Sequence, residues 1–121
     1  LALTAPQGRL LVDIARHDGV SQTALAQRHG TDASTITGMA RRLEEKELIA
    51  RPRDLLDARC ILINATPSGT TAAASATKAI ARTTRRATDG LTPDESAQLV
   101  TLLARVAENL ENTRRTRRLR P

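Results

Sequence analysis

The 121-residue sequence contains no Phe, Tyr or Trp. Any core must therefore be built from Leu, Ile, Val and Ala, which bury less area per residue than aromatic side chains. A chain of this length suits one domain, and an all-aliphatic core this small leans on a partner subunit for part of its stability. A single Cys, Cys60, excludes an internal disulfide framework and suits a reducing compartment. With no second Cys to resolve a disulfide, it reads as a strand residue rather than a redox switch. No apolar run approaches the roughly 18 residues of a membrane span, and no signal-peptide pattern is visible, so the expected location is cytoplasmic. The only Met is Met39, and residues upstream of Leu1 are expected. Nucleophile elbows, Gly-rich phosphate loops and metal-spaced clusters are missing from the sequence. That argues against an enzyme, a cofactor or a metal site. His17 and His29 sit at expected helix ends, where a His⁺ is favourable, and need no metal.

The formal net charge is +6 and is unevenly placed. Residues 1–111 hold 14 Lys/Arg against 13 Asp/Glu; residues 112–121, NTRRTRRLRP, add five Arg and no acid. The body is nearly neutral and the end strongly basic. Such a run reads as a disordered, solvated end or as an electrostatic anchor for phosphates.

Four helix starts follow from their caps. Thr4-Ala5-Pro6-Gln7 has a capping hydroxyl, an early Pro and Gln three places on; the helix carries Leu10, Leu11 and Ile14 and should stop near Asp18-Gly19. Ser21 opens a short helix to His29, closed by Gly30. Thr31-Asp32 opens a third, with Ile36, Ala40 and Leu43 at helical spacing. Thr92-Pro93-Asp94-Glu95 opens the last with a full capping box, and its stripe is Leu99, Leu102, Leu103, Val106 and Leu110. Leu48 to Arg53 and Cys60 to Ala65 read as two short strands joined by a hairpin tip at residues 54–59. Pro67-Ser68-Gly69 reads as a break, and residues 70–88 as an Ala- and Thr-rich helix. The fold class is mainly α with a small β-hairpin.

Two short helices joined by His29-Gly30-Thr31 have the layout of a helix-turn-helix, and the strand pair that follows makes it a winged one. The second helix, at about residues 32–46, would enter a major groove of double-stranded DNA by its N-terminal part. At about 100° per residue, Ile36, Met39, Ala40 and Leu43 form its buried side. Ser34, Gly38 and Arg41 face outward, with Thr37, Thr35 and Arg42 on the flanks. The outer face of the first two turns is small and hydroxylated, then positive, and carries no acid until Glu44. Short hydroxyls serve phosphates or base edges, and Arg reads guanine in a bidentate way. The candidate DNA-binding residues are Ser34, Thr35, Thr37, Gly38, Arg41 and Arg42, the Ser21 hydroxyl, and Arg53 and Arg59 flanking the wing tip. Asp57 reads as a structural partner of an Arg. The plain alternative for the helix is a solvated face with ordinary Arg–Glu pairing.

The run from Leu3 to Gly69 resembles the MarR family of winged helix-turn-helix transcriptional regulators. The resembling pieces are Leu3-Thr4, Leu25-Ala26, Asp32-x-Ser34-Thr35-Ile36-Thr37, Leu43-Glu44-x-x-x-Leu48-Ile49, Arg51, Asp57-x-Arg59 and Thr66-Pro67-x-Gly69; Leu91-Thr92-Pro93-x-Glu95 also fits. The resemblance implies a homodimer held by its terminal helices, reading a palindromic operator, usually as a repressor responsive to a small-molecule effector. Residues 1–66 would be the DNA-binding region with its wing at about 49–65, residues 67–111 a helical dimerisation region, and 112–121 a basic tail.

Four departures stand out. Glu47 occupies the place of a Gly, which strains a left-handed cap. Ala33 and Gly38 stand where basic residues are usual, and Gly38 would let a DNA backbone approach. Leu55-Leu56 occupy the wing tip. The family's first helix should precede Leu3. Arg82, Arg85 and Arg86 could receive a carboxylate effector, or form a solvated basic face; without aromatic side chains a pocket cannot stack a phenolic ring. Two other readings stay open: a winged-helix protein-interaction or dimerisation module that no longer binds DNA, and a non-specific DNA-coating protein driven by the Arg tail.

Overall fold

The structure, a computed structural model of the chain, describes residues 3–51 and 62–119, with side chains described as far as Arg117. The element order is α1 (Ala5–Arg16), β1 (Val20–Ser21), α2 (Gln22–Arg28), α3 (Ala33–Glu45), β2 (Ile49–Ala50), β3 (Leu62–Ala65), α4 (Pro67–Ala87) and α5 (Pro93–Leu119). Two compact units result, one ending at Arg82 and the other beginning at Thr83.

In the first unit the expected caps form. The Thr4 hydroxyl accepts from Gln7 N (3.3 Å) and the Gln7 side chain accepts from Thr4 N (3.1 Å), so two orphan donors of α1 are satisfied reciprocally. The helix ends at Arg16 with His17 as its cap, two residues before Gly19, whose φ of +69° turns the chain into β1. The core is aliphatic as composition requires: Leu10, Leu11, Ile14, Leu25, Ile36, Leu43, Leu48 and Ile63 are all fully buried. At about 1.5–3 kcal/mol per buried side chain, these eight hold three helices and a sheet together without a ring. Met39, expected on the buried side of α3, is only half-buried.

The sheet has three strands in the order β1-β3-β2, both pairs antiparallel. Val20 pairs Ile63 and Ser21 pairs Leu62; Ile49 pairs Ala65 and Ala50 pairs Asn64. The expected two-stranded hairpin is therefore the β2–β3 pair, with described strands shorter than the sequence suggested. β1 is an addition. It has two residues, Val20 and Ser21, the second of which also caps α2, too few for any periodicity to show. Asn64 reinforces it, its side-chain oxygen accepting from Gly19 N at 2.6 Å.

Pro67-Ser68-Gly69, expected as a break, is instead the first turn of α4. Pro at the first helical position has the right φ and lacks an N–H that would be orphaned anyway. The Thr66 hydroxyl accepts from Gly69 N at 3.0 Å and does the capping. Gly69, Ala72 and Ala73 are buried, and Gly8 of α1 lies so near α4 that a Cβ on it would sit 3.6 Å from the Ala76 Cβ. The small residues of α4 thus serve close approach within this unit.

In the second unit, Thr92 and Glu95 form the expected capping box (2.9 and 3.1 Å) and start α5. The helix continues through Leu119. The described part of the Arg-rich run is therefore helical, which corrects the expectation of a disordered end. Arg is a good helix former, and cations at a helix C-terminus are favoured by the macrodipole. Charge density reported solvation correctly but not conformation.

Candidate nucleic-acid interface

The helix-turn-helix is built by local chemistry. Ser21 caps α2, its hydroxyl oxygen accepting from Ala24 N at 3.2 Å. Gly30, at φ +59°, closes that helix, with Gly30 N donating to Gln27 O (3.3 Å) and Thr31 N to Ala26 O (3.1 Å). This double closure turns the chain sharply. Asp32 then caps α3: its Oδ1 accepts from Thr35 N (2.8 Å) and from the Ser34 hydroxyl (2.9 Å). An acidic cap also sits favourably at the positive end of the helix.

Two bonds fix the helices against their neighbours. Gln22 Nε2 donates to the Thr37 hydroxyl (3.2 Å), which itself donates to Ala33 O (2.8 Å). Thr37 thereby joins α2 to α3 and has already used its proton. Asp13, on α1, receives His29 Nε2 (2.8 Å), an Arg28 guanidinium nitrogen (3.2 Å) and His17 Nδ1 (3.0 Å). One largely buried carboxylate so anchors the turn between the two helices to α1. Both His sit at helix ends, as expected, and they share a partner that helix-end position alone does not reveal. The i,i+4 spacing of Asp13 and His17 was the available signal.

Along α3, Ser34, Thr35, Arg41 and Arg42 are exposed, while Thr37 and Gly38 are half-buried. A Cβ built on Gly38 meets nothing within 4 Å, so the helix surface there is open. From Ala33 to Arg42 there is no acid. The Arg–Glu pairing that would make this an ordinary surface helix takes a different form: among the described residues, Glu44 pairs with Arg51 rather than with Arg41 or Arg42. Arg51 Nε and Nη2 each lie 3.0 Å from a Glu44 carboxylate oxygen. The hydrogen bond from Arg51 lowers the Glu44 carboxyl below its ordinary value, and the same bond raises the Arg51 guanidinium. This fork joins the end of α3 to the chain leaving β2.

The exit from α3 keeps the left-handed cap despite its departure in sequence. Glu47 stands at φ +59°. Glu47 N donates to Glu44 O (2.8 Å) and Leu48 N to Leu43 O (3.0 Å), while the Thr66 hydroxyl donates to Glu47 O (2.7 Å). Leu48 O accepts from Thr66 N (3.0 Å), and a Cβ on Gly69 would overlap that same carbonyl oxygen. The Thr66-Pro67-x-Gly69 segment is therefore the clamp that holds the base of the wing against α3.

Ser21 is half-buried beside this surface. Arg53, Arg59, Asp57, Cys60 and the wing tip lie outside the described residues. Arg82, Arg85 and Arg86 are all exposed on α4. Among the described residues no group of three or more His, Cys, Asp or Glu could hold a metal ion, and no helix is long and apolar enough to cross a membrane.

Residues 3–61 match the sequence profile of the MarR family. The chain belongs to that family. It is 35% identical over 97 residues to a putative transcriptional regulatory protein for the hcr operon of Thauera aromatica, covering 80% of this chain and 58% of that relative. It thus spans less than two thirds of that protein's length. The fold matches the PcaV transcriptional regulator from Streptomyces coelicolor, crystallised with its natural ligand, at a TM-score of 0.83 and 31% identity, covering 88% of this chain and 75% of that one. It also matches MepR of S. aureus, crystallised with DNA, at a TM-score of 0.80 and 26% identity, covering 88% and 80%. The MarR-type architecture, mostly helical with a small three-stranded antiparallel sheet, is the one described above.

Proposed function

We propose that this MarR-family chain is a sequence-specific DNA-binding regulator of transcription. The observation that carries the reading is α3 itself. It is a helix braced by Asp32, Thr37 and the Asp13 anchor, and it presents two acid-free turns outward. In this reading Ser34 and Arg41 meet base edges in the major groove, with Gly38 allowing close approach. Thr35 and Arg42 take phosphates, and Thr37, its proton committed, acts as an acceptor. The Ser21 oxygen already accepts a bond, so its hydroxyl proton is the part offered to a phosphate. Arg53 and Arg59 extend the contact from the wing.

The regulator acts as a homodimer that places two recognition helices about 34 Å apart on a palindromic operator. It represses, and releases on binding a small acid near Arg82, Arg85 or Arg86. The MepR–DNA and PcaV–ligand complexes support DNA and a small molecule as partners, and the exposed apolar stripe of α5 supports the dimer. The test is a gel shift on the DNA flanking its own coding sequence, with bulk DNA as competitor. A complex that persists at one site is expected. One that vanishes under competition would leave only non-specific coating, and no complex at all would leave a protein-interaction module.

A further inference from the structure

Thr37 stands on the acid-free face of α3, about 40° around the helix from Arg41 and about 60° from Ser34. A hydroxyl has one proton and two lone pairs. The Thr37 proton goes to Ala33 O at 2.8 Å. One lone pair takes the Gln22 Nε2 N–H at 3.2 Å. What remains is a single lone pair and no proton. The two bonds support each other. With its proton on Ala33 O, the oxygen turns only lone pairs toward α2, and the nitrogen is the end of the Gln22 carboxamide that can meet them. Gln22 is the first residue of α2, directly after the Ser21 cap, so its backbone is fixed by the helix start. Ser34 also gives its proton away, to Asp32 Oδ1 at 2.9 Å, but both residues are exposed and water competes for that bond. Gln22 and Thr37 are both half-buried, so theirs is the better shielded pair.

We propose that Gln22 makes Thr37 a reader of one exocyclic amino group in the major groove, adenine N6 or cytosine N4. The proposal rests on the DNA-binding reading above and names the chemistry this residue recognises. Adenine and cytosine each offer an N–H donor at the major-groove edge, whereas guanine N7 and O6 and thymine O4 are acceptors. Phosphate oxygens are acceptors as well. An oxygen with only a lone pair left pairs with the amino groups and opposes a lone pair on all the others. To donate instead, the proton must leave Ala33 O. Gln22 is a positioning residue: it holds the Thr37 oxygen from the α2 side, fills the second lone pair and so sets the direction of the first. Without Gln22 the hydroxyl turns between donor and acceptor roles, and the choice between bases is lost.

The test is selection of bound duplexes from a randomised library by the full chain, as wild type, Gln22→Leu, Thr37→Val and Thr37→Ser. Wild type should select a motif with one position confined to adenine or cytosine. Gln22→Leu and Thr37→Val should relax that position alone, and Thr37→Ser, which keeps the hydroxyl, should retain it. The unchanged remainder of the motif shows that each variant is folded. A role in folding alone would weaken binding at every position alike and contradicts the proposal. In a second measurement, fluorescence anisotropy compares the selected duplex with one that lacks the amino group, carrying purine for adenine or pyrimidin-2-one for cytosine. Wild type should lose about 3- to 10-fold in affinity, the worth of one neutral hydrogen bond, while Thr37→Val loses nothing further. The analogue that weakens wild type identifies the base. A position relaxed by these variants that instead prefers guanine or thymine overturns the acceptor role, thymine pointing to contact with its methyl group. A wild-type motif that neither Gln22→Leu nor Thr37→Val alters overturns this proposal and leaves sequence-specific binding standing. No motif with wild type overturns both.

Discussion

Gly38 separates two demands, helix stability and close approach to DNA, that the proposed role of α3 would place on one residue. It lies in the interior of α3, where Gly is less favourable than Ala by about 0.5–1 kcal/mol. A methyl group added there meets no atom within 4 Å, so no steric penalty opposes the gain. Gly38→Ala should therefore stabilise the protein by about that amount and raise Tm by about 2–6 °C for a chain of this size. If DNA approaches this face closely, the same methyl group should displace a phosphate or base contact worth about 1–3 kcal/mol. Cognate affinity should then fall about 5- to 150-fold. Thermal denaturation by circular dichroism and fluorescence anisotropy with a labelled operator read the two effects separately. A higher Tm with unchanged affinity would remove Gly38 from the interface. A lower Tm would refute the open-surface reasoning itself.

Glu47→Gly should relieve the left-handed strain at φ +59° and raise stability by up to about 1 kcal/mol; an unchanged or lower midpoint in urea would show that the side chain compensates. Gly69→Ala should destabilise by about 3 kcal/mol or more, because its Cβ must displace the Leu48 carbonyl at the junction of α3, β2 and α4; a near-native denaturation midpoint would contradict that packing. Glu44 titrates below its ordinary value of 4.5 because Arg51 favours its charged form. Its stabilising effect is therefore present above that pH and is lost as pH falls through the lowered folded value. Both partners are partly solvated, so the effect is a few tenths of a kcal/mol, and Glu44→Gln should flatten the acid limb of stability by that much. An identical acid limb in the variant would mean the fork is not maintained in solution.

Elements with their own start signal were legible. Thr4, Ser21, Asp32 and Thr92 each announce a helix by a side chain that can cap it, and each does. The apolar side of α3 followed from spacing because Ile36, Ala40 and Leu43 meet a core with no aromatic residue to distort it. What was hidden depends on contacts distant in sequence. β1 exists because Val20 and Ser21 find Ile63 and Leu62. Asp13 gained its role only when the turn after α2 folded against α1. Pro67 and Gly69 look like breakers in isolation, and only the Thr66 cap and the Leu48 carbonyl show that one starts a helix and the other fits beneath it. On the candidate interface, exposure of Ser34, Thr35, Arg41 and Arg42 was predictable from the helical wheel. The engagement of Thr37 by Gln22 was not, because the wheel describes one helix and not its neighbour.

The central claim is that α3 reads sequence, and Arg41 tests it most directly. Wild-type protein and Arg41→Ala should be titrated against an operator selected from the DNA flanking the coding sequence and against a scrambled duplex, at one salt concentration. If Arg41 contacts a base, the variant should lose about 1–3 kcal/mol on the operator and far less on the scrambled duplex. An equal loss on both would contradict base reading and leave α3 as a phosphate-binding surface.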